Sequence, residues 1–413
     1  MKKITRLLLI TVLITALFSG LVFASSSSIK IDGKTKSLTT ELKEGRTFVA
    51  GSSLKSLGLD FTLNQSIAIV KNKEVEFRFT LNTNKVKVNN TDFTTDSKSY
   101  KNGQEAYLPL RFILETLGYD VKWDKSINGI KVDKQKNISY PVTLESNGTK
   151  YTVAKEPKTI VSLAPDVTET LFAIGAGSKV KGRTQYCNYP KNVSAIKEVG
   201  NMTEPSIETI IDINPDLVIA ATHYKEEVLK KLQTAKIAIV AKESPKTLDE
   251  MYDYTLKLGA IVNKNYEARA LVSSMKSKVE TVKMYTNKIK NKPTAYYVVG
   301  TGQYGEYTAG KDTFLAELIR IAGGINVADD VTGWKYSLEK LIDKNPDIII
   351  GAQFYYDTMK GSDNYKILKA VKNNKFKVVN EDIFSRPSPR LIEEGLKILV
   401  KAFNDNIGNK LSF

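Results

Sequence analysis

The sequence predicts an α/β protein: two α/β lobes with parallel sheets, joined by a long spine helix and preceded by a small α+β repeat domain. Three observations carry that prediction. The stretch PSIETIIDINPDLVIA at residues 205–220 returns as YSLEKLIDKNPDIIIG at residues 336–351, with Ser206, Glu208, Asn214, Pro215 and Asp216 matching Ser337, Glu339, Asn345, Pro346 and Asp347. Strand and helix signals alternate on both sides of residues 247–290, the mark of parallel α/β layers. Within 247–290 the strand signals stop, and Leu271, Met275, Val279 and Val282 keep a three-to-four spacing on one helical face while Lys and Glu fill the others.

Taken in order, the chain opens with Met1-Lys2-Lys3 and Arg6, runs without a charge from Leu7 to Ala24, and closes that run on Val22-Phe23-Ala24. This pattern predicts a signal peptide over residues 1–24, cleaved after Ala24, with an uncleaved membrane anchor as the alternative. Residues 25–137 form a first unit with its own repeat. Leu54-x-x-Leu57-Gly58-x-x-Phe61-x-Leu63 before Ser66-Ile67 recurs as Leu114-x-x-Leu117-Gly118-x-x-Val121-x-Trp123 before Ser126-Ile127. Each copy reads as a strand, a short helix ended by glycine, and a hairpin. Residues 138–158 form a connection with one hairpin. Lobe 1 covers 159–262, the spine 263–292 and lobe 2 293–413. A helix over 265–289 would be about 37 Å long, long enough to run along both lobes. Each repeat copy reads as a serine-capped helix stopped at Asn-Pro, followed by a wholly apolar strand suited to the middle of a covered sheet.

Composition excludes several function classes. The net charge is +16, yet Lys and Arg are spread through every segment and alternate with Asp and Glu. That distribution describes a solvated surface and no nucleic-acid groove, with attraction to an anionic wall polymer left open. Cys187 is the only cysteine, so no intramolecular disulfide forms. Cys187 and His223, the only histidine, have no spacing signature of a nucleophile pair, and Gly300-x-Gly302-x-x-Gly305 leads into Glu306-Tyr307-Thr308 where a nucleotide fingerprint needs a helix. The prediction is therefore a protein that is not an enzyme, with no cofactor of its own.

Ligands of open parallel sheets sit beyond the carboxyl ends of the strands. In the two repeats that rule selects His223 with Tyr224, and Phe354 with Tyr355. Other strand ends add Pro165, Tyr186, Tyr189, Tyr304, Tyr307, Trp334, Phe384 and Arg386. The set is aromatic and poor in titratable groups, suited to gripping a large flat ligand by stacking. His223 is the one candidate axial ligand to a bound cobalt or iron.

Two resemblances follow from these residues. The repeat at 54–67 and 114–127 is similar to the copper amine oxidase N-terminal-like domain of Gram-positive surface proteins. No His or Cys lies within residues 30–137, so copper chemistry is not expected, and the module reads as a stalk, a wall contact or a plain spacer. Ser162-Leu163-Ala164-Pro165-x-x-Thr168-Glu169, Tyr186-Cys187-Asn188-Tyr189-Pro190, Val199-Gly200, Thr308-Ala309-Gly310-Lys311 and Arg386-Pro387-Ser388-Pro389-Arg390 resemble the helical-backbone class of ABC-importer substrate-binding proteins, with the cobalamin branch closest. The resemblance implies an extracytoplasmic receptor that captures a cobalt corrinoid and docks on an importer permease through Glu208 and Glu339. It also implies a ligand contact at Met202, where cobalamin receptors carry an aromatic. Little closure between the lobes is expected, because a spine helix resists hinge bending. Haem or an iron siderophore is the alternative ligand. A wall-associated adhesion protein with a non-binding bilobal domain is the alternative function.

Overall fold

The computed structural model describes residues 25–413 apart from 32–33, 125–128, 136–137, 147, 222 and 303–304. The expected signal peptide and the Ser126-Ile127 turn lie outside the described residues. In the first unit, the strand Arg46–Ala50 enters a 3-10 helix, Gly51–Leu57, that Gly58 ends at φ +76°. The strand Glu105–Pro109 likewise enters helix α1 (Leu110–Thr116), and Gly118 follows at φ +88°. Only glycine adopts these angles without strain, which is why both copies carry it there. The two entering strands pair with each other, Val49 opposite Leu108, as the fifth and sixth strands of a seven-stranded sheet. The hairpins then diverge. Asp60–Asn64 with Ile67–Lys71 opens a separate five-stranded meander, whereas Tyr119–Asp124 with Gly129–Lys134 completes the seven-stranded sheet. Period-two strands turn Phe77 and Phe79 inward, where both meet the ring of Phe112 edge-on at 6.4 and 6.3 Å.

Lobe 1 holds five parallel strands in the order Lys197–Glu198, Val180–Arg183, Ile160–Ser162, Leu217–Ala221 and Ile239–Lys242. Helices α2 (Pro165–Ala173), α3 (Ile207–Ile213) and α4 (Glu226–Thr234) connect them. Lobe 2 holds four parallel strands in the order Ile325–Asn326, Thr294–Tyr297, Ile348–Gly351 and Phe376–Val378. Between the sheets run α5 (Leu248–Ile261) and α6 (Asn265–Thr286), and lobe 2 adds α7 (Phe314–Ile321) and α8 (Leu338–Lys344).

The two repeat copies are the same structural device. Ser206 and Ser337 accept from the amides of Thr209 and Lys340 at 3.2 Å, opening α3 and α8. Asn214 and Asn345 close those helices in the left-handed region, at φ +49° and +40°. The aspartates then staple each apolar strand to its neighbour: Asp216 accepts from the amide and hydroxyl of Thr159, and Asp347 from those of Thr294. Each threonine hydroxyl in turn accepts from the aspartate's own amide at 2.9 Å. The Thr159 and Lys158 amides hold the Asp216 carboxyl below its usual range.

The spine departs from the expected amphipathic helix. Helix α6 has 22 residues, about 33 Å at its usual rise, and fourteen of them are buried, including Glu267, Arg269 and Lys278. The N-terminal unit covers the face that the sequence pattern assigns to solvent. Arg111 pairs with Glu280 at 2.5 Å, the hydroxyl of Ser274 donates to the carbonyl of Thr94, and Arg46 binds Asp96 and Thr281. Lys278, fully buried, donates to the Thr94 hydroxyl at 2.8 Å and pairs with Glu393 of lobe 2. The first unit also reaches the chain end, where Asn84 donates to the carbonyl of Ser412. It is an integral brace along the spine and not the free spacer considered from sequence. Glu393→Gln should therefore cost about 2–3 kcal/mol, because it strands a buried ammonium, while Lys278→Met should be nearly neutral. Urea unfolding of the two variants checks this.

Candidate ligand-binding cleft

The strand ends of the two lobes place the candidate residues. After Ile160–Ser162 the chain turns into α2, with Pro165 buried at the first helical position, where its missing amide is no loss. Thr168 and Thr184 flank the Cys187 sulfur at 3.1 and 3.2 Å, and burial pushes that thiol up from its ordinary value. His223 is exposed at φ +71° just past the strand Leu217–Ala221. A buried protonated thiol and an exposed imidazole do not form a nucleophilic pair. The strand Glu306–Tyr307 follows the Gly300–Gly305 run, so no helix opens there to hold a pyrophosphate.

Arg386 is not an open ligand contact. Its guanidinium donates to Glu169 at 2.8 Å, Asn188 at 2.8 Å, the carbonyl of Tyr186 at 3.1 Å and Asp382 at 2.6 Å. Ser388 donates to the second Glu169 oxygen at 2.5 Å, and Asn188 to Asp382 at 2.7 Å. Glu169, Tyr186 and Asn188 belong to lobe 1, and Asp382, Arg386 and Ser388 to lobe 2. The network is thus an inter-lobe clasp in which a planar five-donor group meets four acceptors. Burial raises the Glu169 carboxyl above its usual range even with Ser388 and Arg386 pulling it down. Phe384 is fully buried against Tyr297, 5.8 Å between ring centroids, so it supports the wall from behind.

The remaining candidates present surface. Tyr186, Tyr189, Trp334 and Phe354 are 45, 36, 38 and 71 % exposed, Phe354 in the first turn of the helix Gln353–Gly361, and Met202 is half-buried. Tyr189 is backed by the Arg390 guanidinium 4.0 Å from its ring centroid, and Trp334 stands edge-on to Phe314 at 6.2 Å. Phe354 meets Tyr355, whose hydroxyl donates to the carbonyl of Val299 at 2.6 Å. Tyr304 lies outside the described residues. Sequence reasoning named both ends of the clasp within separate motifs, at Glu169 and Arg386, but missed their pairing. The charge complementarity of two motifs otherwise free of counter-ions was the available signal.

A family model for periplasmic binding proteins matches residues 160–383, more than half of the chain. The chain belongs to the periplasmic binding protein family. A second model, the copper amine oxidase N-terminal domain, matches residues 25–132. An uncharacterized ABC transporter substrate-binding lipoprotein of Bacillus subtilis is 33 % identical over 267 residues, 63 % of this chain and 85 % of that protein. A cobalamin-binding protein of Halobacterium salinarum is 26 % identical over 276 residues, 63 % of this chain and 74 % of its own. The crystal structure of a possible iron-binding (periplasmic solute-binding) protein from Staphylococcus epidermidis superposes with a TM-score of 0.54 at 31 % identity, covering 60 % of this chain and 99 % of the other. All three are described as binding proteins, the Bacillus subtilis one as the substrate-binding component of an ABC transporter. As in its relatives, this periplasmic binding protein sets two lobes on parallel sheets, and among its described residues no helix is long and apolar enough to cross a membrane.

The clasp gives a pH signature. Because the folded-state value of Glu169 is raised, its contribution favours the folded state below the unfolded value and fades as pH rises through the folded one. Arg386→Met removes the cation that opposes this rise. The variant should lose about 3–5 kcal/mol at neutral pH, and the deficit should shrink toward about pH 4, where Glu169 is neutral. Denaturation at both pH values measures it.

Proposed function

We propose that this protein captures a cobalt corrinoid, a cobalamin or cobamide, between its lobes and delivers it unchanged to an ABC importer permease outside the cytoplasm. The observation that carries the reading is the set of exposed rings, Tyr186 and Tyr189 from lobe 1 and Trp334 and Phe354 from lobe 2, on strand ends lacking a catalytic set. Such faces grip a macrocycle by stacking and burial. Met202 adds a polarizable contact, while exposed His223 is available as an axial ligand through a ring nitrogen. The cobalamin-binding relative in Halobacterium salinarum supports the same ligand class. An iron ligand, such as an iron-siderophore, is the second reading, and the possible iron-binding protein of Staphylococcus epidermidis supports it only as far as the iron.

Titration calorimetry with cobinamide, cobalamin and haemin tests the ligand. Corrinoid binding at least tenfold tighter than haemin, about 1.4 kcal/mol or more, is expected. His223→Ala should abolish any shift in the cobalt absorption bands if the imidazole ligates. Binding of haemin or a ferric siderophore in preference to both corrinoids would overturn the reading.

Permease docking falls to Glu208 and Glu339. Both are exposed in the first turns of α3 and α8, held at equivalent places by Ser206 and Ser337. The helix dipole accounts for an acid in a first turn; a matched pair on two lobes fits a partner with paired cations. Glu208→Ala with Glu339→Ala should leave the ligand Kd unchanged and reduce transport by tenfold or more in a reconstituted importer, about 1.4 kcal/mol of coupling.

A further inference from the structure

The N-terminal module carries a constellation that neither the cleft nor the spine uses. In the seven-stranded sheet Val49, Ala106 and Leu108 turn into the main core, while the alternating residues Phe48, Ala50 and Tyr107 form a separate cluster on the opposite face. Tyr100, on the sheet's terminal strand, packs against that cluster. Its ring stacks on Tyr107 at 5.4 Å and 8°, and Phe48 meets it edge-on at 5.1 Å. Glu41, in register with Phe48 on the neighbouring strand, is only 2 % exposed.

One Glu41 oxygen accepts the Tyr100 hydroxyl. The other, Oε2, is buried and has no hydrogen-bond partner among the described residues. A buried carboxylate oxygen without a donor is costly, so the site is short of one donor. Burial and Glu41 together push the Tyr100 hydroxyl well up, which keeps it a donor and leaves Oε2 for something else. The local cation is placed differently: the Lys43 ammonium stands 4.1 Å from the centre of the Tyr100 ring, and Lys43 makes no ion pair among the described residues. An ammonium is thus already held by this ring face, yet the carboxylate remains undersupplied. Aromatic faces joined to a carboxylate are the chemistry that recognises an alkylammonium, through the ring quadrupole and the three ammonium donors.

We propose that Glu41, Tyr100 and Tyr107 form a recognition site for a primary ammonium group carried by another molecule, with Lys43 as its resident competitor. An incoming amine displaces the Lys43 ammonium from the ring and donates to Glu41 Oε2. The site lies on the face turned away from the main core, at the sheet's terminal strand, where Tyr100 and Lys43 are half-buried and departure of the Lys43 ammonium opens the ring face. This assignment does not rest on the ligand held in the cleft.

The test is a titration of the full chain with n-butylammonium, followed through the aromatic NMR resonances, with 1-pentanol as the uncharged control. Lys43→Met removes the competitor and should tighten n-butylammonium binding about tenfold over the unaltered protein. Such a gain cannot come from misfolding. Glu41→Gln, in the Lys43→Met background, should abolish it, and 1-pentanol should not bind. Titration with a short glucosamine oligomer bearing free amines identifies the source: tighter binding than n-butylammonium assigns the site to polymer-borne amines, equal binding to free ones. No tightening in Lys43→Met, or binding that survives Glu41→Gln, would overturn the proposal and leave Oε2 served by solvent.

Discussion

A helix with fourteen of its 22 residues buried constrains everything packed around it. Helix α6 carries Lys278, Arg269 and Glu267 into its buried surface; Glu267 is met by Lys264 at 2.9 Å, whereas Lys278 takes its partners from beyond the helix. For Lys278 the partners come from opposite ends of the chain, Thr94 of the first unit and Glu393 of lobe 2. Desolvation pulls that lysine below its ordinary range while Glu393 works against the pull. An ammonium placed there makes the brace, the spine and lobe 2 one cooperative body, because separating any of them breaks its coordination. Ser273, Ser274 and Ser277 serve the same end by steric means, since small side chains let α1 and the strand Thr91–Thr94 approach the helix closely.

The clasp does for the lobes what Lys278 does for the brace. Arg386 draws Glu169 and the Tyr186–Asn188 loop toward Asp382 and Ser388, so the loop bearing two candidate ligand contacts is held from lobe 2. A spine that resists bending and a floor that ties the lobes together both oppose hinge closure. The space between the lobes is therefore held nearly preformed, with Arg386 fixing the Tyr186 backbone and Arg390 backing the Tyr189 ring.

Much of this fold was legible because its signals are local. The repeated Ser, Asn and Asp residues each have a one-residue job, a cap, a left-handed stop and a staple, and each job needs that side chain at that spacing. Gly58 and Gly118 were readable for the same reason. The threonine half of the staple, at Thr159 and Thr294, was not, because its partners lie more than fifty residues away and a threonine entering a strand has no distinctive pattern. The covered face of α6 was misread because its lysines and serines look like a solvent face until another domain is laid on it. Charge patterning along one helix does not carry the docking of a distant unit.

The site was legible only as far as topology reaches. Strand order says which loops surround a cleft, and the strand-end rule picked loops that carry exposed rings. It says nothing about which way each side chain turns. Phe384 turns inward onto Tyr297 and Arg386 is consumed by the clasp, while Tyr189 and Trp334 remain open. Where a clasp ties two lobes together, that distinction decides which faces stand open. A closing cleft can adapt its width to a ligand, but a fixed one discriminates only through the side chains already standing in it. Ligand identity in such a protein is written in a few ring orientations on a frame that many ligands share, and so the frame was recovered from sequence before the ligand.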